Sequence, residues 1–143
     1  MYSHNFQYGE FSNYNQPLAH PLGANFYEYI GILRYQPIPR LNLTGKMIYA
    51  QYGADTLSSN WGGNIFLNNS TFEQEYDNEI GQGIATKLLF LDFTATWQIR
   101  HNMFVDLKQI YRKLDSDLPE RDKTTLFTSL SFRWNIPQRL QEF

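Results

Sequence analysis

The 143-residue chain contains no cysteine, so a small extracellular domain held together by disulfides is excluded. It also lacks any run of about 18 apolar residues, the length that a membrane-spanning helix requires. Lys and Arg total 12 against 14 Asp and Glu. There is therefore no basic excess of the kind that marks nucleic-acid binding, and no nucleic-acid partner is expected.

What the sequence does contain is alternation of apolar and polar residues, most clearly at residues 125–136. Side chains alternate across a strand. One side of this segment carries Leu126, Leu130, Phe132, Trp134 and Ile136, and the other is mostly polar. Twelve residues extend about 40 Å, which is enough for a tilted strand to cross the apolar band, about 25 Å tall, of an outer-membrane barrel. Ordinary strands are about half as long.

Four further segments alternate in the same way, at residues 24–36, 41–52, 84–99 and 103–114. The connections between them are alternately long and short, as in outer-membrane barrels. The sequence predicts one domain that consists of a loop or strand tail at 1–23, a hairpin at 24–52, a long extracellular loop at 53–82, a hairpin at 83–114, a loop at 115–124, and a final strand with a tail at 125–143.

The alternation assigns one face of these strands to lipid and the other to a lumen. The residues predicted to face lipid are Leu89, Leu91, Phe93, Trp97, Leu126, Leu130, Phe132 and Trp134. The predicted lumen charges are Glu28, Arg34, Lys46, Asp92, Asp106, Lys108 and Arg133. A charge buried alone in an apolar core costs several kcal/mol, whereas in a polar lumen it can pair or be hydrated. We expect the two aspartates to form ion pairs with Lys46, Lys108 and Arg133 rather than to act in acid–base catalysis.

Aromatic residues make up 17% of the chain, and those on the predicted lipid face sort by end. The long-loop end has Tyr27, Tyr29, Tyr49 and Tyr111, and the short-turn end has Tyr35, Trp97 and Trp134. Such girdles are typical of barrels at the two membrane interfaces. The predicted fold class is therefore an all-β, antiparallel up-and-down transmembrane β-barrel, with about five C-terminal strands in this chain. Closed barrels have an even strand number of at least about eight, so we expect three or more strands and an export signal before residue 1.

The long loop supplies the candidate contact residues Trp61, Phe66, Phe72 and Tyr76. Aromatic side chains among Asn and Gly suit contact with a glycan or a protein partner, or else they pack the loop onto itself or plug the barrel mouth. Acids at 115–122 lack the glycine and spacing of an EF-hand, and the three histidines are scattered. No catalytic residue, metal site or cofactor is expected.

Three stretches carry a resemblance to a known family: Asn-Tyr-Asn-Gln-Pro-Leu-Ala-His-Pro-Leu-Gly-Ala-Asn-Phe-Tyr at 13–27, Ser-Asp-Leu-Pro-Glu-Arg at 116–121 and Arg-Trp-Asn-Ile-Pro-Gln-Arg at 133–139. They resemble the C-terminal part of RemB-like gliding-motility proteins of Bacteroidota, which are outer-membrane barrels distantly similar to the capsule-assembly Wzi barrels. The resemblance implies an outer-membrane location and a non-enzymatic role in gliding motility or surface adhesion. The implied partners are membrane lipid, motility or secretion machinery, and surface polysaccharide.

Two alternatives remain open at this point. One is a barrel that attaches capsular polysaccharide to the cell surface. The other is a soluble, lipocalin-like barrel that binds a small apolar ligand, in which the Leu and Trp face would point inward.

Overall fold

The computed structural model describes residues 12–14, 16–18, 20–56, 59–64, 66–67 and 69–136. Its strands are β1 (Ser12–Asn13), β2 (Gln16–Pro17), β3 (Phe26–Ile38), β4 (Leu41–Ala54), β5 (Ile84–Arg100), β6 (Met103–Ser116) and β7 (Lys123–Trp134). Single 3-10 turns lie at Asn69–Thr71 and Pro119–Arg121. Over these ranges, no helix has the length and apolarity needed to span a membrane.

Strands β3 to β7 form one antiparallel sheet in which every strand pairs with its neighbours along the chain. The predicted all-β class and up-and-down order are thereby confirmed. The five strands are 12 to 17 residues long, about twice the usual length. Strands β3 and β7 are the outer strands of this sheet and are not paired with each other within the described residues, so these five strands alone do not close the predicted barrel.

Three of the predicted strand starts, at Leu41, Ile84 and Met103, coincide with the observed ones, and the other strand ends differ by one or two residues. Strand β3 continues through Pro37, which lies in a register shift between Tyr35 and Ile38, and a β-bulge tolerates the missing N–H of proline. The β6–β7 connection is shorter than predicted because two of its acids cap the adjoining strands. Asp117 accepts a hydrogen bond from the backbone N–H of Ala85 (3.1 Å), and Asp122 accepts one from Ser116 (2.8 Å). Within the predicted loop at 1–23, β1 and β2, of two residues each, pair as a small antiparallel hairpin. The strand tail predicted at residues 2–5 lies outside the described residues.

The connection from β4 to β5 folds back onto the end of the sheet and is anchored by Asn25. The Asn25 side chain is 8% exposed, donates to the carbonyl of Gln82 (2.8 Å) and accepts from the N–H of Gly81 (2.7 Å). Its own carbonyl accepts from the N–H of Gly53 (3.0 Å). Through its side chain and its backbone carbonyl, the buried residue Asn25 thus connects the start of β3 with the end of β4 and with the last residues of the loop.

The sheet buries very little apolar surface by itself. Ala50 is the one fully buried hydrophobic residue of the described chain, while Leu33 and Leu130 are largely exposed. A β-sheet is stable in water only when at least one apolar face is covered by another layer. The apolar surface of this sheet therefore requires a cover that the described residues do not supply.

Candidate functional site: the two faces of the sheet and the long loop

The strand register places all seven predicted lumen charges on one face of the sheet, which we call the charged face. Lys108 Nζ lies 3.0 Å from Asp92 Oδ2, and Arg133 Nε lies 3.3 Å from Asp106 Oδ2. Thr96 donates a further hydrogen bond to Asp106 (2.6 Å). The predicted pairing of the aspartates with Lys108 and Arg133 is therefore present in the structure.

The other three predicted lumen charges have different surroundings. Lys46 stands directly opposite Asp92 in the β4–β5 register, and Arg34 stands opposite Thr44. Glu28 Oε2 lies 3.3 Å from His20 Nε2, and the His20 ring stacks on Phe26 with ring centroids 4.2 Å apart. The sequence carried no signal for this last contact, because His20 lies outside any strand and reaches Glu28 only through the path of the chain before β3.

Asp92 and Asp106 are not arranged as a catalytic pair. Asp106 is opposite Thr96 in the register, four residues along β5 from Asp92, which corresponds to about 13 Å. Each carboxylate has its own cation, and each side chain is only 18% exposed. The geometry fits two structural ion pairs on one surface, too far apart to share a proton.

The eight residues predicted to face lipid lie together on the opposite side, the apolar face. The aromatic residues of this face follow the predicted order along the strands, with tyrosines toward the long loop and tryptophans toward the short turns. Tyr29 and Tyr49 are directly opposed near the long loop, whereas Trp97 pairs with Leu41 and Trp134 with Met103 near the short turns. Leucine, methionine and phenylalanine occupy most of the rows between the tyrosine row and the tryptophans.

Exposure distinguishes the two faces in the inner strands β4, β5 and β6. Their exposed large hydrophobic residues are all on the apolar face: Met47, Leu91, Phe93, Trp97, Ile99 and Leu107. On the charged face, the large hydrophobic residues of these strands are half-buried: Ile48, Leu88, Phe90, Phe104, Ile110 and Leu114. In the inner strands, large hydrophobic residues are therefore more exposed on the apolar face than on the charged face.

The long loop contains a cleft of about 540 Å³ on the side facing residues 24–25. It is lined by Ala24, Asn25, Asn60, Trp61, Gly62, Phe72, Gln74, Glu75, Asn78, Glu79 and Ile80. Trp61 is half-buried and packs so close to Gly83 that a Cβ at Gly83 would lie 2.9 Å from the indole. Phe72 is 52% exposed. Of the four predicted loop aromatics, Trp61 and Phe72 line the cleft, whereas Phe66 and Tyr76 lie outside its lining.

Comparison with known proteins finds no relative of this chain. No protein-family model, curated protein or solved structure matches this chain. Its function is therefore inferred from the sheet faces and the loop.

The Asp106–Arg133 pair can be measured by a double-mutant cycle. We expect D106N and R133Q to show a coupling free energy of about 1 kcal/mol in urea unfolding, the upper end for partly exposed ion pairs. The matched control combines D92N with R133Q, whose partners lie several rows apart, and these should be additive within about 0.5 kcal/mol. Additive behaviour of D106N with R133Q would show that the pair contributes nothing to stability.

Proposed function

We propose that this chain forms part of an outer-membrane β-barrel, with its apolar face in lipid and its charged face toward the lumen. The observation that carries the proposal is the exposure of large hydrophobic residues on the apolar face of the inner strands, opposite the face that holds the ion pairs. A soluble ligand-binding barrel has the reverse arrangement, since its apolar residues line the concave interior. Strand length and the ordering of Tyr and Trp rows also support a membrane location.

The directions of the two outer strands, β3 and β7, decide how many further strands are needed to close a barrel. Because three strands, β4, β5 and β6, lie between them in an antiparallel sheet, β3 and β7 run in the same direction. An antiparallel barrel can then close only if an odd number of additional strands lies between them. A minimum of about eight strands requires at least three. Closure removes the unpaired N–H and C=O groups that hydrocarbon cannot satisfy.

For such a barrel we propose a non-enzymatic role in gliding motility or cell-surface adhesion, as the resemblance to RemB-like proteins implies. The ion pairs of Asp92 and Asp106 then stabilise the lumen wall. The long loop, with its cleft and exposed aromatic residues, is the surface that meets motility machinery, secretion machinery or surface polysaccharide.

The absence of cysteine allows a direct test of this orientation. In the full-length protein in its native membrane, we expect Leu130→Cys to stay unreactive toward a small water-soluble maleimide until the protein is denatured, because a thiol in hydrocarbon does not form the reactive thiolate. Ser131→Cys, its neighbour on the other face, should react with a small water-soluble maleimide. The membrane fraction should release the protein only with detergent. Recovery in the aqueous fraction, or equal labelling of both positions by the water-soluble reagent, would contradict the proposal.

A further inference from the structure

The β4–β5 loop concentrates negative charge at one end of the molecule. Residues 55–83 contain five acidic residues and no Lys, Arg or His, although the whole chain has a net charge of only −2. Asp55 is used within the loop, where it accepts a hydrogen bond from the N–H of Trp61 (2.7 Å). Glu73, Glu75, Asp77 and Glu79 are exposed, and the ion pairs found among the described residues include none of them. Such a surface attracts cations and repels anionic polymers.

The cleft described above combines this charge with apolar walls. Trp61, Phe72 and Ile80 supply rings and an aliphatic surface, and Glu75 and Glu79 supply carboxylates. Its volume of about 540 Å³ lies within the usual range of ligand clefts. Aromatic rings attract ammonium and guanidinium groups through their negative faces. A cation with an apolar stem therefore matches both parts of the lining.

Of the four amide side chains in the lining, Asn25, Asn60 and Asn78 form hydrogen bonds within the protein, and Asn78 donates to the carbonyl of Gln74 (2.9 Å). Asn25 uses both ends of its side chain on Gly81 and Gln82. Asn60 donates to Thr71 (2.9 Å) and accepts from the N–H of Gly62 (3.1 Å). Recognition of a saccharide depends on many hydroxyl contacts to such groups, whereas recognition of a Lys or Arg side chain depends on carboxylates and rings. The lining thus favours a basic peptide over a sugar.

We propose that this cleft binds a basic peptide segment of a protein partner. The Lys or Arg head group binds at the carboxylates of Glu75 and Glu79, and its aliphatic stem packs against Trp61 and Phe72. This inference deepens the proposed function, which places the loop outside the membrane. Binding itself can be measured in detergent solution, so its failure is distinguishable from a wrong membrane assignment.

The test uses the complete protein in a zwitterionic detergent without a sugar head group. The probe is a fluorescein-labelled peptide of four Lys-Gly repeats, followed by anisotropy. We expect saturable binding that weakens with salt because the charges are exposed. The double variant E75Q/E79Q should raise the Kd at least tenfold, and Phe72→Ala should raise it at least threefold. Far-UV circular dichroism confirms that each variant is folded.

Matched controls separate the cleft from the general charge of the loop. E73Q/D77N removes the same charge from the same segment but not from the cleft lining, and Tyr76→Ala removes an exposed aromatic outside it. Both should change the Kd less than threefold. No binding of the peptide, or equal effects of the two double variants, would overturn the proposal. Stronger binding of a glucosamine tetramer than of the peptide would also overturn it, since the occupant would then be an amino sugar.

Discussion

Leu130→Arg is expected to lower the free energy of unfolding of the full-length protein in lipid by about 2–4 kcal/mol, the cost of a cationic side chain near the midplane of a barrel's lipid face. Leu130 is 74% exposed in the sheet and stands opposite Leu107. In turn Leu107 is opposite Ala95, and Ala95 is opposite Leu43, so this row crosses the apolar face between the tyrosine and tryptophan ends.

The matched control is Ser131→Arg, the adjacent residue on the same strand. Ser131 is on the charged face and stands opposite Asp106, which can accept a new cation. We expect a much smaller loss of stability, measured for both variants by urea unfolding in lipid vesicles. Equal losses would show that the two faces do not differ in environment and would remove the main support for a lipid-facing apolar face.

Gly53→Ala is expected to be strongly destabilising. A Cβ at Gly53 would overlap the carbonyl oxygen of Gln82 and crowd the side-chain amide of Asn25. The loop must then leave the sheet end and lose the buried hydrogen bonds of Asn25. We expect a destabilisation of about 3 kcal/mol, the upper end for overpacking, together with rapid proteolysis within residues 55–83.

Gly45→Ala is the control on the same strand. Nothing lies within 4 Å of a Cβ built at Gly45, so this variant should fold with unchanged stability and an intact loop. Limited proteolysis and hydrogen exchange at Gly81 report on the loop directly. A protected Gly81 amide in the Gly53→Ala variant would show that the Asn25 anchor does not depend on this close approach.

The strands and the sorting of their side chains could be predicted because they depend on local alternation. A period of two in β7 is enough to place Leu130 and Ser131 on opposite sides, whatever the strand pairs with. The cations that pair with the two aspartates were partly predictable, also because alternation assigns each side chain to a face. Once the hairpin β5–β6 is assumed, Asp92 and Lys108 fall on the same face.

The conformation of the β4–β5 loop could not be predicted from alternation. Asn25 and Gly81 are 56 residues apart, and no periodic pattern links them. The cleft depends on that contact, because it brings residues 24–25 beside the segment from Asn60 to Ile80. The strand ends at Ile38, Ser116 and Lys123 were also missed, since they depend on hydrogen bonds that the Asp117 and Asp122 carboxylates accept and on the register shift around Pro37.

By itself, the sequence determined the number and approximate length of the strands in this sheet and which side chains share a face, because each follows from the geometry of a single extended chain. Only the tertiary structure decided which cation each aspartate contacts and how the acidic loop closes over the sheet end. These features arise from contacts between residues distant in the chain, and no local pattern encodes them.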